Sequence, residues 1–101
     1  MALIATTRRL IIGLGPTGQA IARHLKSLGL QFDAADTRTD VELKFRFESQ
    51  FPMSEVRIGA LESEWLDQFD EIVVSPGVSP MTSGLNETVT PQISDIELFR
   101  R

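Results

Sequence analysis

A glycine-rich turn is the part of this sequence best suited to chemistry. Gly13, Gly15 and Gly18 form the pattern Gly-x-Gly-x-x-Gly between an apolar run at 10–12 and a stretch that predicts a helix over 17–28. In such a turn the first glycine permits a tight bend, the second lets a phosphate approach the backbone, and the third lets the helix pack closely. The N–H groups and the dipole at the helix start would then favour an anion. The pattern predicts a site for a phosphate-containing ligand, and a glycine turn without a ligand is the alternative.

A carboxylate and an arginine follow the second predicted strand, which covers 31–35. Asp36 stands where nucleotide-binding folds place a carboxylate against a ribose, and it could equally accept a hydrogen bond from a ring N–H of a base. Thr37 and Arg38 come next, and Arg38 could stack on a base or pair with phosphate. The alternative is a capping aspartate beside a solvated arginine.

A third motif, Ser75-Pro76-Gly77, ends a strand predicted at 71–74. Ligands of open parallel sheets bind outside the carboxyl ends of the strands. We therefore expect the glycine turn, Asp36-Thr37-Arg38 and Ser75-Pro76-Gly77 to lie along one edge of the sheet.

The elements that must position these motifs predict an α/β fold. Strand, helix and strand follow one another at the start of the chain, which predicts parallel strands joined by a right-handed crossover. The expected architecture is a Rossmann-like open parallel sheet of about 4–5 strands, with flanking helices in three layers. Thr17 is the expected N-cap of the first helix and Gly29 its C′ residue. The further predictions are a short helix or irregular crossover in 37–52, a strand at 56–58, a helix over 62–69 with Leu61, Trp65, Leu66 and Phe69 on its apolar side, a loop over 79–90, an edge strand at 92–93, and a helix from 96 capped by Ser94 or Asp95.

Composition excludes several classes of function. The 101 residues include no cysteine and one histidine, His24, so we expect neither a metal site nor thiol chemistry. The formal net charge is −4 and no stretch is strongly basic, which argues against a nucleic-acid partner. No run approaches the ~18 apolar residues of a membrane span, and the apolar stretch at 2–5 is too short for a signal peptide. The expected location is the cytoplasm.

The motifs together resemble the N-terminal domain of the Mur ligases, and most of all the branch that adds D-glutamate. The resemblance covers nearly the whole chain in the right order, and it departs from the usual pattern in two places. The segment 81–92 is shorter than is usual there, and Ser94 stands where glycine is common. The matching motifs are Gly13-Leu14-Gly15-Pro16-Thr17-Gly18, Asp36-Thr37-Arg38, Ser75-Pro76-Gly77-Val78 and Asp95-Ile96-Glu97-Leu98-Phe99.

The resemblance implies that 1–101 is a single domain that binds the UDP end of UDP-N-acetylmuramoyl-L-alanine in peptidoglycan biosynthesis. It also implies that the chain has no catalytic residue or cofactor and is inactive alone. ATP and Mg would belong to the full-length monomeric ligase, whose central ATP-binding and C-terminal domains would act in cis. The implied UDP-binding residues are Gly15, Pro16, Thr17, Gly18, Asp36, Thr37, Arg38, Ser75 and Gly77.

Two other classes of protein fit part of the pattern. One is an NAD-binding Rossmann domain of a dehydrogenase, which would use the same glycine turn and Asp36. The other is a regulatory module that senses a nucleotide and carries no enzyme.

Overall fold

The chain folds around one five-stranded sheet, within residues 7–79 and 81–99, which a computed structural model describes. All its strand pairs are parallel, in the order β3-β2-β1-β4-β5. This confirms the predicted Rossmann-like α/β class. In chain order the elements are β1 (Arg9–Ile12), α1 (Pro16–Ser27), β2 (Asp33–Asp36), α2 (Val41–Gln50), β3 (Val56–Ile58), α3 (Ser63–Leu66), β4 (Glu71–Val74), β5 (Gln92–Ser94) and α4 (Asp95–Phe99).

Strand β1 lies at the centre of the sheet and supplies both apolar clusters. Ile11 belongs to one cluster, while Leu10 and Ile12 belong to the other, because successive side chains of a strand point to opposite faces. One cluster is covered by α1, α2 and α4, and the other by α3 together with Leu85 from the loop before β5. A parallel strand covered on both faces needs a continuous apolar run, which explains the sequence at 10–12.

The ends of helix α1 follow from proline and glycine. The predicted N-cap Thr17 is wrong: the helix begins at Pro16, and Gly15 is the N-cap. Proline suits the first helical position for two reasons. Its fixed φ is helical, and an N–H group at this position would have no acceptor within the helix. The prediction for Gly29 is confirmed. Its φ is +73°, and N–H groups of Gly29 and Leu30 donate to carbonyls in the last turn, as in a Schellman motif.

For residues 37–52 the sequence predicted either a short helix or an irregular crossover, and the structure has helix α2 there. Asp40 caps it by accepting a hydrogen bond from the Leu43 N–H at 3.1 Å. Phe47 is the one residue of this helix that is buried. A helix that buries so little needs few apolar residues, which explains why the sequence shows only a weak helical period here.

Helix α3 is shorter than the predicted 62–69, although the four predicted apolar side chains are all buried. After one turn, the N–H groups of Gln68 and Phe69 bond to carbonyls three residues back. Asp67 turns outward and accepts hydrogen bonds from Thr88 and from the Val89 N–H.

The segment before β5 forms the predicted loop, and β5 pairs with β4 over Gln92–Ser94. The expected cap of α4 is confirmed as a capping box. The Ser94 hydroxyl accepts from the Glu97 N–H at 3.2 Å, and the Glu97 carboxylate accepts from the Ser94 N–H at 3.2 Å. The predictions for 1–6 and for the end of the last helix at 100–101 lie outside the described residues.

Candidate functional site

The glycine turn lies directly after β1, and its first and third glycines are required by close packing. Gly13 has φ +117°, and a Cβ there would lie 2.6 Å from the Ser75 hydroxyl oxygen. A Cβ on Gly18 would lie 1.8 Å from the Gly13 carbonyl oxygen. The Gly13 N–H donates to the Ala35 carbonyl at 2.7 Å. The turn is therefore held against the ends of β2 and β4, as the sequence predicted.

At the second glycine, Gly15, close packing does not explain why the residue is glycine. Its φ of −74° and ψ of −168° are open to any residue. Among the described residues beyond its two chain neighbours, a Cβ there would contact only an Arg38 guanidinium nitrogen, 3.7 Å away. Gly15 provides no capping side chain, and the first turn of α1 holds no acidic residue. The start of this 12-residue helix therefore keeps its positive end and its backbone donors available.

Asp36 is buried, with 4% of its surface exposed, and it holds the turn in place. One carboxylate oxygen accepts from the Leu14 N–H at 2.9 Å and from the Arg38 guanidinium at 2.7 Å. The other accepts from the backbone N–H and the Nε of Arg38, at 2.9 and 3.1 Å. Burial raises the pKa of Asp36, but the hydrogen bonds from Arg38 and Leu14 outweigh it and leave that pKa below its ordinary value.

Arg38 lies over the turn from the side of β2. Its side chain is 59% exposed although it is bonded to the buried carboxylate. The hydrogen bond and the charge of Asp36 raise the pKa of Arg38 above its ordinary value. The guanidinium is therefore a permanent cation beside Gly15, and the side chain that holds it there is Asp36. The neighbouring Thr37 is exposed.

Ser75 lies beneath the turn with its hydroxyl unused. The residue is 8% exposed, and its oxygen has no hydrogen-bond partner among the described residues. Its backbone N–H donates to the Ile12 carbonyl at 3.0 Å, which fixes it at the end of β4. Pro76 and Gly77 are exposed, and a Cβ on Gly77 would meet nothing within 4 Å. All three predicted motifs thus follow the carboxyl ends of neighbouring strands, β2, β1 and β4.

Two contacts at this edge have no signal in the glycine pattern. The Leu14 N–H is bonded to Asp36 rather than left for a ligand. The Gln19 side chain donates to the Leu14 carbonyl at 3.0 Å and ties the helix to the turn. Both depend on how the turn folds back onto its own helix and onto β2, which residue spacing alone does not encode.

The rest of the described chain adds no metal-binding cluster. Within 7–79 and 81–99, no group of three or more His, Cys, Asp or Glu side chains could hold a metal ion. His24 is half-buried and packs edge-on against Phe99, with ring centroids 4.7 Å apart. None of the helices in those residues is both long enough and apolar enough to cross a membrane.

A parallel sheet with a glycine turn, an uncapped helix start and a carboxylate after the second strand is typical of α/β domains that bind nucleotides. Residues 7–96 match the family described as Mur ligase MurD-like, N-terminal domain. The chain belongs to this family.

Full-length relatives agree with the family match. The chain is 37% identical to the UDP-N-acetylmuramoylalanine–D-glutamate ligases of Pseudomonas aeruginosa and Pseudomonas fluorescens, over 105 aligned positions that cover all of this chain. It is 43% identical to the enzyme of the same name from Chromohalobacter salexigens over 89 residues, or 88% of this chain. The chain spans 23% of the two Pseudomonas enzymes and 20% of the third.

Proposed function

We propose that this domain binds the UDP group of UDP-N-acetylmuramoyl-L-alanine for a ligase that adds D-glutamate to it in peptidoglycan biosynthesis. Family membership and the activity in the names of the relatives support the class of enzyme. The diphosphate would lie against Gly15, Pro16, Thr17 and Gly18, and the uracil near Asp36, Thr37 and Arg38. Ser75 and Gly77 would approach the nucleotide from β4.

Gly15 carries this proposal. Its backbone conformation suits any residue, and its Cβ would clash with none of the described residues, yet the N-cap of a helix without a capping side chain is glycine. A phosphate lying against that backbone would explain the missing side chain, because it needs the space that a Cβ would take. The helix dipole and the N–H groups of the first turn would stabilise its charge.

Ser75 supports the proposal independently. A buried hydroxyl without a partner costs free energy of about 1–3 kcal/mol. The hydroxyl lies beside Gly13, whose Cβ would be 2.6 Å from it, and Gly18, whose Cβ would be 3.7 Å from it. The oxygen is closed off from solvent in this conformation, so a ligand oxygen at the turn could accept its hydrogen bond once the turn opens slightly.

Asp36 and Arg38 set a condition on base recognition. The carboxylate already accepts four hydrogen bonds, three of them from Arg38. A base N–H that bonds to Asp36 must therefore displace a guanidinium donor. The Arg38 side chain is largely exposed, so it can turn away into solvent without burying an unpaired group of its own. It could then stack on the base.

The domain would contribute binding rather than bond formation. ATP and Mg would act in the remaining domains of the ligase, where the substrate carboxylate would be activated as an acyl phosphate and the amine of D-glutamate would displace phosphate from it. Binding energy from the distant UDP group would help to position the reacting end.

Calorimetric titration of the 101-residue chain with UDP and with NADH tests the proposal. We expect UDP to bind, and we expect NADH to bind at least about tenfold more weakly, a difference of roughly 1.4 kcal/mol. Ser75→Ala should weaken UDP about tenfold, since a hydrogen bond to a charged group contributes about 1.5–3 kcal/mol. Ser79→Ala is the matched control on the exposed loop and should bind UDP normally. Preference for NADH would instead favour the dinucleotide domain of a dehydrogenase.

A further inference from the structure

A cavity lies at the opposite end of the sheet from the glycine turn. It has a volume of about 480 Å³ and is formed where β1, β2, β3 and β4 begin. This volume is within the range of about 300–1,000 Å³ that is usual for small-molecule sites. None of the residues predicted to bind UDP lines it.

The floor of the cavity is aromatic. Phe32, Phe51 and Phe69 line it, and Phe32 and Phe51 pack edge to face with centroids 5.5 Å apart. Met53 lies at the same cavity with 95% of its surface exposed. The three rings are themselves buried, so an apolar ligand body would remove apolar surface from water chiefly at Met53, which favours binding.

The charged side chains of the lining are three cations and one carboxylate, in a chain whose formal net charge is −4. Arg9 is paired with Glu71, with 3.4 Å between Nε and the carboxylate oxygen. Arg8 and Lys26 form no ion pair with a carboxylate in the described part of the chain. The lining holds one carboxylate, Asp33, which accepts a hydrogen bond from the Glu55 N–H.

The two unpaired cations are held close to the rings. The Arg8 guanidinium carbon lies 4.9 Å from the centroid of Phe69, and Arg8 also donates to the Gln68 carbonyl at 3.3 Å. The Lys26 ammonium lies 5.8 Å from the centroid of Phe51. Cationic donors are thus placed beside apolar surface, an arrangement that suits a ligand with an anionic end and an apolar body.

We propose that this cavity binds a small carboxylate with an aromatic body. Its ring would lie against the exposed Met53, and its carboxylate would pair with Arg8 and Lys26. The proposal does not depend on the function of the glycine turn, since the two sites share no residue.

NMR titration of the isotope-labelled 101-residue chain tests this with three probes: 3-phenylpropionate, the neutral 3-phenylpropan-1-ol, and propionate. We expect saturable amide shifts at Arg8, Lys26, Phe32 and Phe51 with 3-phenylpropionate. The alcohol and propionate should bind at least about fivefold more weakly, because each lacks one of the two interactions. Equal affinity for the alcohol, or no saturable shifts at the cavity, would overturn the proposal.

Two variants separate the cavity from general surface charge. Lys26→Ala should weaken 3-phenylpropionate about threefold, as expected for one exposed ion pair. Arg23→Ala is the control, because Arg23 is an exposed cation on the same helix that does not line the cavity. An equal loss in both variants would show that the probe senses overall charge only and would contradict the proposal. Shifts at these amides on dilution without any probe would identify a contact between copies, which would also contradict it.

Discussion

The two ends of the sheet differ in what lines them. At the carboxyl ends of β1, β2 and β4, the turn is built from close backbone packing, one buried carboxylate and one unused hydroxyl. At the amino ends, three phenylalanine rings and three cations surround a cavity. The first end offers backbone N–H groups and a helix dipole, and the second offers positive side chains that lie beside aromatic rings.

Under the two proposals, an acidic domain would present two separate places for anions, which differ in how they attract charge. At the glycine turn, the donors are fixed by the fold and need no added charge. At the cavity, attraction depends on the charges of Arg8 and Lys26, so it should weaken with salt more strongly. The following substitutions separate the two ends.

The amino end should be the more sensitive to loss of a side chain. Phe51→Ala removes a buried ring that packs against Phe32 and Phe47, and we expect the free energy of unfolding to fall by about 4 kcal/mol. Urea unfolding measures this. Phe45→Ala is the matched control, since Phe45 is an exposed ring on α2, and it should change stability by less than about 0.5 kcal/mol. Similar losses in both variants would contradict this description of the packing.

The carboxyl end should be the more sensitive to gain of a methyl group. Gly18→Ala would place a Cβ 1.8 Å from the Gly13 carbonyl oxygen, and we expect a loss of about 3 kcal/mol by urea unfolding. Gly77→Ala serves as the control because its Cβ would meet nothing within 4 Å. If Gly18→Ala unfolds at the same urea concentration as the Gly77 variant, the close approach of helix and turn is wrong.

Asp36 links stability at the carboxyl end to pH. Asp36→Asn should lower the free energy of unfolding by about 2 kcal/mol near neutral pH, because Leu14 and Arg38 lose a charged acceptor. The folded pKa of Asp36 lies below its unfolded value. Its contribution is therefore complete above the unfolded pKa and is lost as pH falls through the folded one. Urea unfolding at several pH values should show the gap between native chain and variant closing below about pH 4. A gap that stays constant down to acid unfolding would refute the role of this carboxylate.

Gly15 should show the smallest effect on stability and a clear effect on binding. Gly15→Ala introduces a side chain whose one new contact among the described residues is with Arg38, so we expect less than about 1 kcal/mol of destabilisation, from the weaker N-cap. UDP affinity, measured by calorimetry, should fall at least about tenfold because the Cβ occupies the space proposed for phosphate. Unchanged UDP affinity would remove the main support for a phosphate at this turn.

Features set by one or two neighbouring residues were the predictable ones. The strand before Gly13, the C′ residue Gly29 and the cap at Ser94 all follow from local backbone rules. The N-cap was misassigned to Thr17 because Pro16 already occupies the first helical position. The length of α3 was overestimated because bonds from Thr88 and Val89 to Asp67 come from a distant loop.

The site was predictable in position and not in its internal contacts. The rule that parallel strands end at one edge placed Asp36 and Ser75 near the glycine turn, and the structure brings them there. Sequence spacing could not show that Asp36 is occupied by Leu14 and Arg38. The cavity at the amino ends had no sequence signal, since its lining comes from separate segments whose proximity only the folded chain creates.

Mapping UDP binding by NMR on the labelled chain tests the central claim most directly. We predict saturable shifts of the amides of Gly15, Thr17 and Gly18 at the start of α1, and of Arg38 at the end of β2, with affinity rising from uridine to UMP to UDP. The amides of Arg8 and Lys26 at the opposite end should remain in place. Shifts that cluster at Arg8 and Lys26, or an affinity for uridine equal to that for UDP, would contradict the assignment of the glycine turn as the phosphate site.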